Sequence, residues 1–203
     1  KRFIDEWSGD YPDIVTGWNV KFFDIPYLVN RITKLLGDTF ANRISPWNYL
    51  SQRSVFMMGR EQAAYMPSGI SILDYMELYK KFAPGGNSQE SYKLDAISNV
   101  ELGERKLSYE EYGSLHTLYK DNYQLFIEYN IKDVELVEKI DDKIKLIELV
   151  LTLAYDSMTN YMDAFSQVRM WDAIVYNHLR KKNIVVDPII KHSKDEAYIG
   201  AFV

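Results

Sequence analysis

Apolar residues recur three and four apart over several stretches of this chain, and between those stretches they gather into short unbroken runs. The first pattern predicts amphipathic helices and the second predicts buried strands. Phe3, Ile4 and Trp7 share one side of a helix over 1–8. "GDYP" then turns the chain, and residues 13–18 read as a strand. A helix follows from Pro26, with Leu28, Val29, Ile32, Leu35 and Leu36 at helical spacing and Gly37 just past its end. "SVFMMGREQAAYM" (54–66) reads as a hairpin with Gly59 and Arg60 in its turn region. "GISILDYMELYKKF" (69–82) reads as a short strand running into a helix, and 84–89 as a loop. Ser91 is a cap candidate for a helix carrying Leu94, Ile97 and Val100, and Ser108 with Glu111 matches a capping box for another. The strongest periodicity begins near Asp121 and runs past Leu153, with Val134, Val137, Ile140, Ile144, Ile147 and Val150 or Leu151 as its apolar stripe. A turn near 156–165 precedes a helix over 168–182 that ends in the basic run "RKK", and "NIVVDP" reads as extended. Alternation of strand and helix predicts an α/β core over 1–150, and 151–203 reads as a separate, mostly helical segment.

Composition narrows the classes. With 203 residues, 47% of them hydrophobic, the chain can bury the core of one ordinary domain or two small ones. The absence of cysteine excludes disulfides and thiolate metal sites and fits a reducing cytoplasm. A net charge of −5 supplies no global basic field, so nucleic-acid binding would need a local groove or bound metal ions. No run reaches the apolar length of a membrane span, and no signal peptide is visible. The start at Lys1 and the ending "GAFV" read as cuts from something longer.

Two carboxylates stand out. Asp24 sits in "TGWNVKFFDIPYL", at a strand-to-helix corner where a packed chain has little use for a charge. On spacing alone a helix N-cap is its simpler reading. Tyr129 and Asp133, in "EYNIKDVELVEKI", stand one helical turn apart and project from one face. In isolation a solvated face is again the simpler reading. His116, His178 and His192 have no ligand spacing, and Gly85-Gly86 is a turn rather than a phosphate cradle.

Taken together the two sites change the odds. An Asn-x₃-Phe-Asp corner (Asn19, Phe23, Asp24), followed about a hundred residues later by a helical Tyr-x₃-Asp (Tyr129, Asp133), resembles the second and third exonuclease motifs of family B DNA polymerases. "SILDYMELYKKF" with "SYKLDAIS" is similar to the segment between those motifs, and the 54–66 hairpin falls where such polymerases carry one. "MWDAIVYNHL" (170–179) resembles the stretch after the exonuclease domain, and "YIGA", with Tyr198 and Gly200, the Tyr-x-Gly-Gly/Ala motif before the palm. The likeness is to the T-even-like phage type.

The resemblance implies a partial ribonuclease-H-like exonuclease fold of the DEDDy kind. It implies two Mg²⁺ or Mn²⁺ ions held by carboxylates, with Asp133 a ligand of the first ion and Asp24 near the second. Tyr129 would orient the attacking water. Asn19 and Phe23 would shape the corner, with Phe23 either a core residue or a contact for the primer end. These two, with Tyr198 and Gly200, are the implied DNA-facing positions. The implied partners are a single-stranded 3′ primer end, the template strand and replisome proteins; no membrane is implied. The implied location is the cytoplasm, the host's if the chain is phage-encoded. One departure bears on activity. The family's first motif, Asp-x-Glu on an early strand, has no counterpart: "DVE" begins at Asp133 itself, and "DEA" (195–197) comes late. The metal site is thus expected to be incomplete and the isolated chain nearly inactive. A stand-alone DEDDy nuclease, or a non-catalytic DNA-binding or interaction module of the same fold, are the competing readings.

Overall fold

The computed structural model of the chain describes residues 1–57 and 60–185. Gly59 of the expected turn, the "DEA" run, His192, Tyr198 and Gly200 lie outside them. In chain order the elements are α1 (Arg2–Gly9), β1 (Ile14–Gly17), α2 (Asp24–Leu36), α3 (Asp38–Asn42), β2 (Leu50–Met57), β3 (Arg60–Pro67) and β4 (Ser71–Asp74). Then come α4 (Tyr75–Phe82), α5 (Leu94–Leu102), α6 (Leu115–Asp121), α7 (Tyr123–Ile144), α8 (Leu146–Ser157) and α9 (Gln167–Lys181).

β1 and β4 pair in parallel, with Val15 opposite Ile72 and Thr16 opposite Leu73. Their side chains alternate between faces, as a pleated strand requires. Val15 and Ile72 join a cluster with Ile4, Val20, Ile25, Val29, Ile32 and Ile44 from the α1–α3 side. Ile14 and Leu73 join the other cluster, with Tyr75, Leu78 and Tyr79 of α4, Leu136 and Ile140 of α7, and Leu146, Val150 and Ala154 of α8. Helices thus cover both faces of a short parallel pair, the mixed α/β arrangement expected. β2 and β3 form an antiparallel hairpin longer than expected, registered from Leu50 opposite Pro67 to Met57 opposite Arg60.

The helical half departs from the sequence expectation in four places. The single helix expected past Leu153 is broken at Lys145, which adopts a left-handed φ of 60°. No glycine or proline marks the break; instead the Asp141 carboxylate accepts the Ile147 N–H at 3.1 Å and the Tyr75 hydroxyl at 3.0 Å, starting α8 on a new axis. The Ser108–Glu111 capping box opens no α-helix, only a 3₁₀ turn at Glu110–Tyr112, and α6 is capped by Ser114 through the Thr117 N–H. Ser91 does not cap α5, whose cap position is Lys93, and Val100 faces solvent. On α7, Val134 is 69% exposed while Leu136 is fully buried, so the core stripe runs Tyr129, Leu136, Val137, Ile140. Gly37 ends α2 at φ 89°, as expected.

Two polar clusters tie these layers together. The first is at Asp74, which is fully buried. Its Oδ1 accepts the N–H groups of Asn19 (3.2 Å), Met76 (3.0 Å) and Glu77 (3.4 Å), and its Oδ2 accepts that of Lys21 (3.0 Å). One side chain therefore caps α4 and pins the turn between β1 and α2. Lys21 and Glu77 add an ion pair at 2.9 Å across the same junction. The second cluster straps the α5–α6 connection to α7. Glu104 meets Lys132 at 2.6 Å and Lys139 at 2.8 Å, and Glu101 meets Lys143 at 3.3 Å.

Replacing Asp74 with alanine orphans four backbone donors in a dry junction. Asp74→Ala is expected to lower unfolding free energy by about 2–4 kcal/mol, read from urea denaturation midpoints at fixed m. Glu104 gives a pH test. Hydrogen bonds and charge from Lys132, then Lys139, hold its carboxyl down at about 2 against an ordinary 4.5. A depressed carboxyl pKa contributes stability that is complete above the unfolded value and is lost as pH falls through the folded one. The urea midpoint gap between wild type and Glu104→Gln is therefore expected to be full above pH 4.5 and to close as pH falls toward 2. A gap that stays constant across that window would contradict the assignment.

Candidate active site

The corner after β1 is built by Asn19. Its φ of 62° lies in the left-handed region, which asparagine tolerates better than most residues. Its carbonyl accepts the N–H groups of Phe22 (3.3 Å) and Phe23 (3.0 Å), while its own N–H goes to Asp74. The chain is thereby folded tightly enough to start α2 at Asp24. Phe23 occupies the cap position of α2 with its ring 67% exposed, so the core alternative for Phe23 is wrong. Asp24 is the first helical residue and does not act as an N-cap: no side-chain cap bond forms at this end. Burial raises the Asp24 carboxyl above its ordinary value, only partly offset by its own backbone N–H. Asp24 nonetheless stays exposed to solvent beside Phe23.

The second group lies on α7. Tyr129 and Asp133 continue the same stripe as Val137 and Ile140, so Asp133 belongs to the inward face rather than to a solvated one. Lys106, which the sequence reading passed over, reaches them from the α5–α6 connection. Its Nζ donates to Asp133 Oδ2 at 2.7 Å and to the Tyr129 hydroxyl at 3.4 Å, and lies 5.4 Å from the centre of the Tyr129 ring. Tyr109 closes the other side of that ring, edge-on at 5.4 Å. Burial works against the charge of Lys106, but the hydrogen bond and charge of Asp133 outweigh it and hold the ammonium above its ordinary pKa. Burial, then the Asp133 charge, raises the Tyr129 phenol against the opposing effect of Lys106. At neutral pH Lys106 is thus a cation and Tyr129 a protonated phenol. The only sequence signal for Lys106 was a basic residue in a polar connection, which is common on any surface.

Asp133 Oδ1 is the exception to this satisfaction. Among the described residues it is the one buried side-chain oxygen or nitrogen without a hydrogen-bond partner. A sealed anionic oxygen with no donor is costly and is the kind of group a hard cation satisfies. The oxygen-only donors Asp133 and Asp24 suit Mg²⁺ or Mn²⁺ better than a softer metal. Among the described residues, no three His, Cys, Asp or Glu side chains converge as a complete metal cage. Tyr129 and Asp133 are thus brought together with Lys106, and Asn19, Phe23 and Asp24 with one another at the corner.

Residues 1–97 match the family model described as DNA polymerase family B, exonuclease domain. The whole chain aligns with the DNA-directed DNA polymerase of Escherichia phage RB69 at 39% identity and with that of Enterobacteria phage T4 at 36%, over 22% of the length of each. It also aligns, over 95% of its length, with the DNA polymerase delta catalytic subunit of Schizosaccharomyces pombe at 26% identity, covering 18% of that protein. The chain spans about a fifth of the length of these relatives. The chain is thus similar along its whole length to the two phage DNA polymerases, and over 1–97 it matches the exonuclease domain of family B.

Proposed function

We propose that this chain contributes the second and third motifs of a 3′→5′ proofreading exonuclease within a replicative DNA polymerase. The observation that carries the reading is the bare, buried Oδ1 of Asp133 beside Tyr129 and Lys106. The fold proposed is ribonuclease-H-like over 1–150, with 151–203 leading toward the palm. In this reading Asp133 and Asp24 hold two divalent cations, which would supply a nucleophile at neutral pH and stabilise the charge on the leaving 3′ oxygen. The phenol of Tyr129, kept protonated, donates a hydrogen bond that orients the attacking water. Lys106 places a fixed positive charge beside Asp133, where a phosphate would gather negative charge. Phe23, exposed next to Asp24, offers a face on which a frayed 3′ base can stack. The substrate proposed is a single-stranded or mispaired 3′ primer end, delivered from the template by the polymerase that also engages the replisome.

The test is release of 3′ mononucleotides from labelled single-stranded DNA with Mg²⁺. The 203-residue chain alone is expected to be slow, and the chain joined to an upstream strand carrying Asp-x-Glu is expected to cleave. In the joined chain Asp133→Ala and Asp24→Ala should each reduce kcat by roughly 10³-fold or more. Tyr129→Phe should cost less, about 10–100-fold, because it only orients water. Strong cleavage by the short chain that either aspartate variant abolishes would mean another carboxylate completes the site. Binding of single-stranded DNA without cleavage in the joined chain would favour the non-catalytic module.

A further inference from the structure

The connection that carries Lys106 is held at both ends. On the α5 side the Asp95 carboxylate accepts the Lys106 backbone N–H at 2.9 Å, and the Asn99 side chain accepts from Arg105 at 3.4 Å. Gly103 begins the turn at a left-handed φ of 70°. On the α7 side Glu104, two residues before Lys106, reaches across by charge to Lys132 and Lys139, next to the Lys106–Asp133 pair itself. Those lysines bracket Asp133 along the helix: Lys132 precedes it directly and Lys139 lies nearly two turns later. The backbone tie to Asp95 fixes where Lys106 starts. It does not fix how closely that start approaches α7.

We propose that Glu104 is a positioning residue: by clasping Lys132 and Lys139 it latches the 103–106 turn onto α7, so that Lys106 reaches Asp133 and Tyr129. The clasp also does a second job. It neutralises the two α7 lysines nearest Asp133, which leaves Lys106 as the cation paired with that carboxylate. The inference rests on the reading of Tyr129 and Asp133 as the exonuclease site, but the latch itself can be read without activity.

The experiment labels lysine side chains with ¹⁵N in the full 203-residue chain and follows the ammonium resonance of Lys106, assigned by its loss in Lys106→Arg. In wild type the ion pair to Asp133 is expected to protect it from exchange and keep it visible. In Glu104→Gln it should broaden away, and Glu104→Asp, which keeps the charge on a shorter arm, should restore part of it. Lys132→Gln with Lys139→Gln severs the latch from the other side and should reproduce the loss, which covers the case in which one variant folds poorly. A Lys106 signal in Glu104→Gln as sharp as in wild type would overturn the latch. In the chain joined to an Asp-x-Glu strand, Glu104→Gln is expected to lower kcat roughly tenfold with KM unchanged, and Glu104→Asp to recover most of it. A lost ammonium signal with undiminished cleavage would keep the latch and refute the catalytic reading of Lys106 instead.

Discussion

The geometry of the corner depends on one buried carboxylate. Asp74 ends β4, caps α4 and accepts the N–H groups of Asn19 and Lys21 from a segment more than fifty residues away. Burial raises its carboxyl above the ordinary value even though backbone donors from Lys21, Glu77 and Asn19 pull the other way. The cost of hiding the charge is thus offset by donors that would otherwise be orphaned at a helix start and in a tight turn. Parallel strands cannot be joined by a short turn, so β1 and β4 have no local reason to stay in register. Asp74 supplies a non-local one at the end of the sheet, where ligand sites of α/β folds gather.

A second constraint acts across the helical layer. Asp141 holds Tyr75 of α4 and the first turn of α8, and Glu101 accepts the Tyr79 hydroxyl at 2.6 Å while pairing with Lys143. The two tyrosines of α4 are fully buried, and their hydroxyls reach the acidic groups that anchor α7. α4 therefore links both polar systems, with its first turn fixed by Asp74 and its buried face fixed to the helix that carries Tyr129 and Asp133. A shift of α7 along its axis would break those hydroxyl contacts before it moved the site far.

Much of this was legible in the sequence where it depends on local pattern. The α2 stripe, the Gly37 stop, the β4–α4 junction and the one-turn spacing of Tyr129 and Asp133 follow from periodicity and cap chemistry. Even Asp74 left a trace, since Asp74 followed by Glu77 has the spacing of a capping box at the end of an apolar run. What pattern could not carry was the rest of Asp74's role, because its bonds to Asn19 and Lys21 are made through the fold. The break at Lys145 was hidden for the same reason: its cause is the Asp141 side chain meeting Tyr75, 66 residues upstream, with no glycine or proline to mark it. Lys106 was hidden because a lysine in a loop is ordinary until something buried lies opposite it. Val134 misled because one apolar side chain beside a true stripe is not distinguishable by spacing alone.

The acids of the two elements sort by how they are satisfied. Asp74 is fully buried and receives four N–H donors, the signature of a carboxylate that the fold itself needs. Asp141 receives a hydroxyl and a backbone N–H and does similar work. Asp133 differs: one oxygen takes Lys106 and the other, sealed from solvent, takes nothing. Asp24 differs in another way: it is exposed at the start of α2 and forms no cap bond there, while partial burial of its carboxyl still raises it above the ordinary value. A structural acid brings its charge inside only with partners already in place. Asp133 keeps one sealed oxygen without a partner, and Asp24 stands exposed at the start of α2 with no side-chain cap bond. That bare oxygen is the physical feature that separates Asp133 from Asp74 and Asp141, which receive their donors from the scaffold.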